Sequence, residues 1–341
     1  LGVTITLLSL VVLIPLAALV IYTAQMSPSE FWESITRERV LASYKVSFIT
    51  AFIASLINAV MGVILAWVLV RYKFPGKRIL DGMIELPFAL PTAVAGIALT
   101  SLTADTGLIG GFFAKFGISI AYTRVGITVA LVFVGIPFVT RAVQPVLEKL
   151  DPVYEEAAGV MGAGRFRIFR KIILPEILPS VLTGFGLAFG RCLGEYGSVV
   201  FIAGNKPFET EITPLIIMSE LQEYDYKSAT AIALVMLAAS FLILFLVNMV
   251  QHRKRSKVVK YILIGIALLF VFVMLVLPLV TVICEAFKSG AEVFWQAVSD
   301  DYTVKAIVLT VEATVFAVLF NTVFGIFAAW SITKFRFKGK K

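Results

Sequence analysis

Long apolar runs recur along the chain and are separated by short polar or charged segments. Each run is about 20 residues or longer, the length at which an α-helix rising about 1.5 Å per residue crosses about 30 Å of hydrocarbon. The pattern therefore predicts an all-α integral membrane protein with eight transmembrane helices. The runs lie at 1–24, 45–70, 79–103, 124–147, 177–203, 228–250, 258–284 and 304–333.

The composition supports this prediction and excludes several other classes. Hydrophobic residues make up 59% of the 341 residues and charged residues 15%, against about 45–50% and about 25% in soluble domains. The single histidine, His252, and the two cysteines, Cys192 and Cys284, offer neither a metal site nor a catalytic triad. The sequence has no G-x-x-x-x-G-K-[ST] phosphate-binding loop, so we expect no cofactor and no ATP binding by this chain itself.

The net charge of +8 is concentrated in alternate loops. Eighteen Arg and Lys residues stand in the loops at 71–78, 148–176, 251–257 and 334–341. Because basic loops stay on the cytoplasmic side of a membrane, we expect these four loops and the N-terminus to be cytoplasmic. The orientation of the chain in the membrane thus explains its net positive charge. We expect membrane lipid to surround the chain, and we expect no nucleic-acid partner.

A repeat at an offset of 263 residues divides the chain. Within 54–78, ten of the 25 residues recur 263 positions later, far more than chance predicts. We therefore expect a complete six-helix unit at 1–257 and the first two helices of a second, truncated unit at 258–341. Two helices alone lack packing partners, so we expect the chain to be part of a longer sequence or to be completed by another chain.

The basic loop at 148–176 contains a short helix of its own. Asp151 and Pro152 predict its start, because an Asp side chain caps free amides and a proline needs no N–H in the first turn. Small residues at Ala158 and Gly162 are expected to let another protein approach this helix closely. The pattern indicates a docking element, and an ordinary basic loop is the alternative.

Seven residues of this loop match a known spacing. A Glu-Ala-Ala triplet is followed, after three residues, by Gly, after nine more by Ile, and after one more by Leu-Pro. This spacing resembles the EAA loop of permeases in importers of the ATP-binding-cassette superfamily. The resemblance implies a type I importer transmembrane domain, with its core at about 41–250, and a loop that docks onto a separate cytoplasmic ATPase dimer, so the chain itself is no enzyme. The matching residues are Glu156, Ala157, Ala158, Gly162, Ile172, Leu174 and Pro175.

The fifth apolar run contains an arginine and a glutamate one helical turn apart, Arg191 and Glu195. An ionisable residue in a membrane span is a candidate functional site, and one interpretation places the pair on the transport pathway or its gate. The alternative is a self-neutralising ion pair that holds helices in place. Glycines four apart on the same helix predict a close helix contact: Gly186, Gly190 and Gly194.

Two prolines, Pro87 and Pro91, interrupt the third apolar run. Each removes a backbone N–H, so we expect a kinked helix. Such helices often line cavities, which makes both prolines candidates for the pathway, and a purely structural kink is the alternative. In the second run, small residues and one amide at a period of four favour helix packing: Ala54, Asn58, Gly62 and Ala66.

Two sequence stretches narrow the resemblance. GEYGSVVFIAGN at 194–205 and LPFALPTAVAGIAL at 86–99 are similar to the T-type permease subunit of bacterial sulfate/thiosulfate importers. The partial repeat resembles the start of the companion W-type subunit. The resemblance implies the bacterial plasma membrane, a second permease subunit of the W type, and an external sulfate-binding protein that docks near 104–123 and 204–227. The chain departs from the family pattern because it joins parts of two subunits.

Other functions remain open at this point. Molybdate and tungstate are tetrahedral dianions like sulfate, so a molybdate/tungstate permease of the same type is one alternative. An ion-coupled secondary transporter is another, with Arg191 and Glu195 as the coupling pair. A membrane enzyme is a poorer third, since the apolar spans offer few nucleophiles or metal ligands.

Overall fold

The structure is a computed structural model and describes residues 14–249 and 290–334. Contacts divide the chain into two compact units: residues 28–282, and a smaller unit made of 1–27 with 283–341. The predicted boundary at residue 257 lies outside the described residues. The division into a six-helix unit and two helices of a second unit therefore stays a prediction.

The regular elements of the described residues are helices, as the apolar periodicity predicts. In chain order they are α1 (Ile14–Thr23), α2 (Pro28–Thr36), α3 (Glu38–Arg71), α4 (Lys77–Met83), α5 (Leu86–Ala89), α6 (Thr92–Thr103), α7 (Gly110–Ala114), α8 (Arg124–Glu148), α9 (Val153–Val160), α10 (Arg165–Lys171), α11 (Leu174–Leu193), α12 (Val199–Ile202), α13 (Thr213–Gln222), α14 (Tyr226–Met249), α15 (Ala291–Ser299) and α16 (Asp301–Lys334).

The core of the larger unit forms where α3, α8 and α11 pack together. Val139 of α8 lies between two glycines that let the neighbouring backbones approach. A Cβ on Gly62 of α3 would lie 2.7 Å from the Val139 Cβ, and a Cβ on Gly184 of α11 would lie 2.6 Å from the Val139 Cα. Both distances are shorter than any ordinary carbon contact, so glycine is required at both positions for this packing.

The small-residue ridge predicted on α3 is confirmed as a packing surface. Ala54, Asn58, Gly62 and Ala66 are all buried. The Asn58 amide lies against Gly135 of α8, where an added Cβ would be 2.2 Å from Nδ2. The period of four therefore marks the side of α3 that faces α8.

Two predicted spans are interrupted rather than continuous. The run at 79–103 forms α4, α5 and α6, because Leu90 and Pro91 are extended between α5 and α6. The run at 177–203 forms α11, a turn and α12. The prediction of one helix kinked at Pro87 and Pro91 is thus wrong, because the run is divided into separate helices. Pro87 lies in the first turn of α5 and Pro91 directly precedes α6, and at both positions a missing N–H costs nothing.

In the smaller unit, the repeat is visible in the helix bounds. Helix α15 begins and ends 263 residues after α2, and α16 begins 263 residues after α3. The two copies of the sequence therefore fold into the same local structure. The most apolar stretch of α16 contains no buried residue, whereas more than half of the corresponding stretch of α3 is buried.

Four helices of the described residues are long and apolar enough to cross a membrane: Glu38–Arg71, Arg124–Glu148, Tyr226–Ile243 within α14, and Asp301–Phe327 within α16. The shorter α6 is also apolar. The first predicted span lies largely outside the described residues, and the seventh, 258–284, lies outside them entirely. The total of eight crossings stays a prediction.

Candidate functional site: the 151–175 loop and two broken helices

Local hydrogen bonds define both ends of helix α9. The Asp151 carboxylate accepts the backbone N–H two residues later at 3.0 Å, which confirms the predicted cap. At the other end, the amides of Gly162 and Ala163 donate to the carbonyls of Gly159 and Ala158, both at 3.0 Å. This pair of hydrogen bonds is a Schellman motif, and Gly162 adopts its left-handed conformation with φ at +77°. Glycine therefore determines where α9 ends and the chain turns into α10.

Helices α9 and α10 are both anchored on the end of α3. Glu155 of α9 is 5% exposed, and its Oε1 lies 2.7 Å from Nη2 of Arg71, the last residue of α3. The Arg71 guanidinium also lies over the Trp67 ring at 5.7 Å, and Trp67 meets Phe169 of α10 edge to face at 6.2 Å. A buried ion pair and an aromatic pair thus join the loop to the core, and the cation–π contact within α3 holds the Arg71 guanidinium in place.

The opposite side of the loop exposes large apolar side chains. Val160, Met161 and Phe166 are 89%, 81% and 68% exposed. Glu156 and Ala157, the first two residues of the predicted motif, are exposed as well. Because one side is anchored and the other is free, the loop presents a defined apolar surface.

Ala158 does not belong to that surface, which corrects the expectation that its small side chain is a docking point. It is 4% exposed and packs inward. Gly162 is exposed, and an added Cβ would meet no atom within 4 Å. The remaining motif residues join the loop to the membrane helix: Ile172 directly follows α10, and Leu174 and Pro175 form the first turn of α11.

Arg191 and Glu195 form the predicted ion pair, but only Arg191 lies in a helix. Arg191 Nη1 is 2.6 Å from Glu195 Oε2, and α11 ends at Leu193 between them. The other carboxylate oxygen, Oε1, accepts the backbone N–H and the hydroxyl of Ser198, each at 2.8 Å. Glu195 is 2% exposed, whereas the Arg191 side chain is 35% exposed. Of the pair, the arginine is therefore the member that another molecule can reach.

The early end of α11 also corrects the predicted glycine ridge. Gly186 lies within the helix and is buried, but Gly194 follows the helix and is exposed. The close contact with α8 is made by Gly184 instead. Spacing alone did not identify it, because Gly184 is two residues away from the predicted series.

The structure brings the break after Pro91 and the turn containing Glu195 together. A Cβ on Gly197 would lie 2.2 Å from Thr92 Oγ1, and a Cβ on Gly96 would lie 2.5 Å from the Ser198 carbonyl oxygen. Pro91 and Glu195 are 104 positions apart in sequence. The candidate residues of the third and fifth runs thus lie in one region, where two interrupted helices meet. Paired broken helices are a frequent arrangement at binding sites within membranes.

The end of the unit away from the 151–175 loop is tied together by polar contacts. Arg39 pairs with Glu211 at 2.5 Å, and Arg37 pairs with Glu220 at 2.8 Å. Burial raises the pKa of the Glu220 carboxyl, and the nearby Arg37 opposes that rise. These pairs fix the segment at 204–227, one of the two predicted binding-protein docking segments, against α2 and α3.

Sequence reasoning missed two arginines that form inter-helix ion pairs. Arg71 was counted only among the basic residues of the loop at 71–78, and no sequence pattern pointed to its partner Glu155. Arg141 lies in the fourth apolar run and pairs with Asp81 at 2.6 Å and Glu85 at 2.5 Å. A search for every ionisable residue inside an apolar run finds Arg141.

The larger unit contains long apolar helices, two interrupted helices that meet at their breaks, and an anchored loop with a free apolar side. These are features of a multi-pass membrane transport protein. Residues 58–257 match the family described as "Binding-protein-dependent transport system inner membrane component". The chain belongs to this family.

Curated relatives cover most of the chain. The chain is 51% identical to "Sulfate transport system permease protein CysT" of Salmonella typhimurium. The match extends over 259 residues, which are 76% of this chain and 94% of that protein. The protein of the same name from Escherichia coli is 52% identical over 259 residues, with the same coverage. That from Synechocystis is 48% identical over 250 residues, or 73% of this chain and 87% of that protein. The resemblance to T-type permeases of sulfate importers is thereby confirmed.

Solved structures show the same fold. A bacterial alginate ABC transporter in complex with an alginate pentasaccharide-bound periplasmic protein superposes with a TM-score of 0.62 at 19% identity, over 75% of this chain and 93% of that chain. A second structure of a bacterial ABC transporter for import of alginate gives a TM-score of 0.60 at 19% identity, over 73% and 92%. The expected importer-permease fold is therefore confirmed.

Proposed function

We propose that the chain is the permease component of an ATP-driven importer of sulfate and related tetrahedral oxyanions. The observation that carries the proposal is the 151–175 loop, anchored through Glu155 and Arg71 and exposing Val160, Met161 and Phe166 on its free side. A rigidly held apolar surface is what a separate ATPase needs in order to push on the membrane helices. The names of the curated relatives support sulfate as the substrate.

Four partners follow from this function. A cytoplasmic ATPase dimer docks on the 151–175 loop, and binds and hydrolyses the ATP. A second permease subunit, of the W type, completes the pathway, and an external sulfate-binding protein delivers the anion at the opposite end, near 104–123 and 204–227. The chain lies in the plasma membrane of a bacterium with its N-terminus in the cytoplasm, and lipid surrounds its outer faces.

Transport follows from rigid-body rocking of helix bundles when the ATPase closes. The pathway binds the anion weakly, because tight binding would prevent its release. Arg191 and Glu195, with Pro87 and Pro91 of the interrupted third run, are the candidate gate. Arg191 is the group in that region which can donate to an anion, since it is partly exposed while Glu195 is buried and held by Ser198.

The transport proposal is tested in vesicles that contain the chain, a W-type subunit, an ATPase and a binding protein. We expect uptake of labelled sulfate that requires ATP and the binding protein. Excess molybdate and tungstate distinguish the substrate alternatives, because the true substrate competes best. Uptake driven by an ion gradient without ATP would contradict the importer and support an ion-coupled secondary transporter.

The orientation of the chain in the membrane is tested by labelling single cysteines in a variant that carries Cys192→Ser and Cys284→Ser. A single cysteine replacing Gly164, in the 151–175 loop, is expected to be shielded from an impermeant external thiol reagent. One replacing Lys115, which is exposed between α7 and α8, is expected to be labelled. The reverse pattern would contradict the proposed orientation.

A further inference from the structure

A partly open groove lies beside Arg141, between α8, α11 and α5. Its volume is about 390 Å³, which corresponds to roughly a dozen water molecules at about 30 Å³ each. Its polar lining is Arg141 with the hydroxyls of Ser180 and Thr183, and its apolar walls include Phe88 and Phe138, which meet edge to face at 5.3 Å. A groove of this size accommodates a small hydrated anion.

In the present conformation, the Arg141 guanidinium forms ion pairs with two carboxylates. Its Nε donates to Glu85 at 2.5 Å, and its Nη1 donates to Asp81 at 2.6 Å and to Gln144 at 2.7 Å. Its Nη2 donates to the Asp81 carbonyl at 2.9 Å. One positive and two negative side chains give the cluster a net negative charge when ionised, so it repels a dianion while these pairs remain formed.

One side of α11 connects this groove to Arg191. Ser180, Thr183, Leu187 and Arg191 follow one another at steps of three, four and four residues, the spacing of a single helix face. At about 1.5 Å per residue, Thr183 and Arg191 lie about 12 Å apart along the helix. Arg141 of α8 lies beside one end of this face and Arg191 forms the other end. Both arginines are paired with carboxylates, and both are about one-third exposed.

We propose that the groove is a second contact site for a tetrahedral oxyanion, at which Arg141 receives the anion after Asp81 and Glu85 move away. The proposal rests on the proposed function and adds a site for the same substrate class. A guanidinium binds two oxygens of such an anion through parallel N–H donors, and the Ser180 hydroxyl supplies a further donor, whereas the Thr183 hydroxyl donates to the Pro179 carbonyl at 2.9 Å. Exchange between carboxylate and anion keeps binding weak enough for release. Asp81 lies in α4 and Glu85 lies between α4 and α5. An extended break separates these short helices from α6, so the two carboxylates can move away from α8.

A different role for Arg141 gives different results. If it only clamps α4 and α5 onto α8, then removing the carboxylates harms transport as much as removing the arginine, and neutralising all three groups restores it. If it contacts the anion, the arginine is required whether or not the carboxylates are present. Arg78, exposed on α4 and outside the groove, supplies a control for loss of one positive charge.

The experiment uses the complex of permease subunits, ATPase and binding protein in vesicles. Four variants are compared: Arg141→Gln alone, the double variant Asp81→Asn and Glu85→Gln, the triple variant that combines all three changes, and the control Arg78→Gln. Sulfate uptake is measured beside binding-protein-stimulated ATP hydrolysis. We expect Arg141→Gln and the triple variant to lower uptake at least tenfold while hydrolysis stays within twofold of the parent. The variant with both Asp81→Asn and Glu85→Gln should lower uptake less than Arg141→Gln does, because Arg141 is still present although release of the anion is slower. Arg78→Gln should retain uptake.

A binding measurement separates failure of this inference from failure of the proposed function. With a cysteine replacing Leu187, in a background with Cys192→Ser and Cys284→Ser, sulfate should slow the reaction of a thiol reagent several-fold, chloride should not, and Arg141→Gln should abolish the protection. If the parent complex transports but Arg141→Gln leaves uptake and protection unchanged, or if the triple variant recovers uptake, the second site is overturned and the importer stands. If the parent complex takes up no sulfate with ATP, the proposed function itself fails.

Discussion

Helices α3 and α16 carry related sequences at an offset of 263 residues, but their surroundings differ. Trp67 of α3 is 4% exposed and its counterpart Trp330 of α16 is 52% exposed, and Asn58 and Gly62 are buried while Asn321 and Gly325 are exposed. Local sequence is therefore enough to form the helix. Burial depends on whether partners such as α8 and α11 are present in the same unit.

The 151–175 loop extends this comparison to a region outside the membrane spans. Its anchored side resembles α3, because its contacts are made within the chain. Its free side resembles α16 in exposing large apolar residues. Changes at surfaces that are already packed should therefore cost stability of the chain, whereas changes at free surfaces should alter only assembly with partners.

The largest stability effect is expected at the buried ion pair. Glu155→Gln leaves the Arg71 guanidinium, 14% exposed, without its charged partner, at a cost of about 3 kcal/mol. The matched change on α16 is Asp301→Asn, which removes an exposed pair with Lys305 and costs about 0.5 kcal/mol or less. Thermal unfolding of both variants in detergent measures the difference, and equal losses would break the comparison.

A smaller loss is expected where helices approach each other closely. Gly62→Leu places a side chain where a single Cβ already lies 2.7 Å from Val139, so we expect a loss of about 1–3 kcal/mol from overpacking. Gly325→Leu at the corresponding position of α16 meets no atom within 4 Å of the Cβ and should leave the stability of the chain unchanged. If Gly325→Leu also destabilises the chain, α16 is packed in a way that its exposure does not indicate.

A still smaller effect is expected at the turn of the loop. Gly162→Ala forces a Cβ into a left-handed residue and should cost about 1 kcal/mol. Gly159→Ala, in the same loop with equally open surroundings, lies in a helix and should be neutral or slightly stabilising. Rates of proteolysis within the 151–175 loop compare the two variants. Equal rates would mean that the conformation of Gly162 does not determine the loop's structure.

Much of the fold follows from the sequence. Apolar runs predicted the helical class, the four-residue period predicted the packed side of α3, and Asp151 with Pro152 predicted the start of α9. The breaks in the third and fifth runs were harder to predict, because apolar periodicity is insensitive to a few extended residues between helices. Gly184 was missed for a similar reason, since close approach depends on how two helices cross and not on glycine spacing alone.

The candidate site was predictable only in part. Arg191 and Glu195 are four residues apart, so their pairing was visible in the sequence. The pairs Arg71–Glu155 and Arg141–Asp81 join residues 84 and 60 positions apart, and such separations are fixed by tertiary packing. The burial of Ala158 was hidden for the same reason, because a short helix does not reveal which of its sides faces the core.

The proposed function requires the 151–175 loop to be the site that couples ATP hydrolysis to transport. Gly162→Asp adds a charge and a strained residue at its free end, so in the assembled permease we expect near-normal expression but a sharp fall in ATPase copurified per permease, and with it in ATP-dependent uptake. Lys73→Ser, an exposed residue in the neighbouring 71–78 loop, lowers the net charge equally and should change neither. If Gly162→Asp retains its ATPase and transports at the parental rate, the loop is not the coupling site.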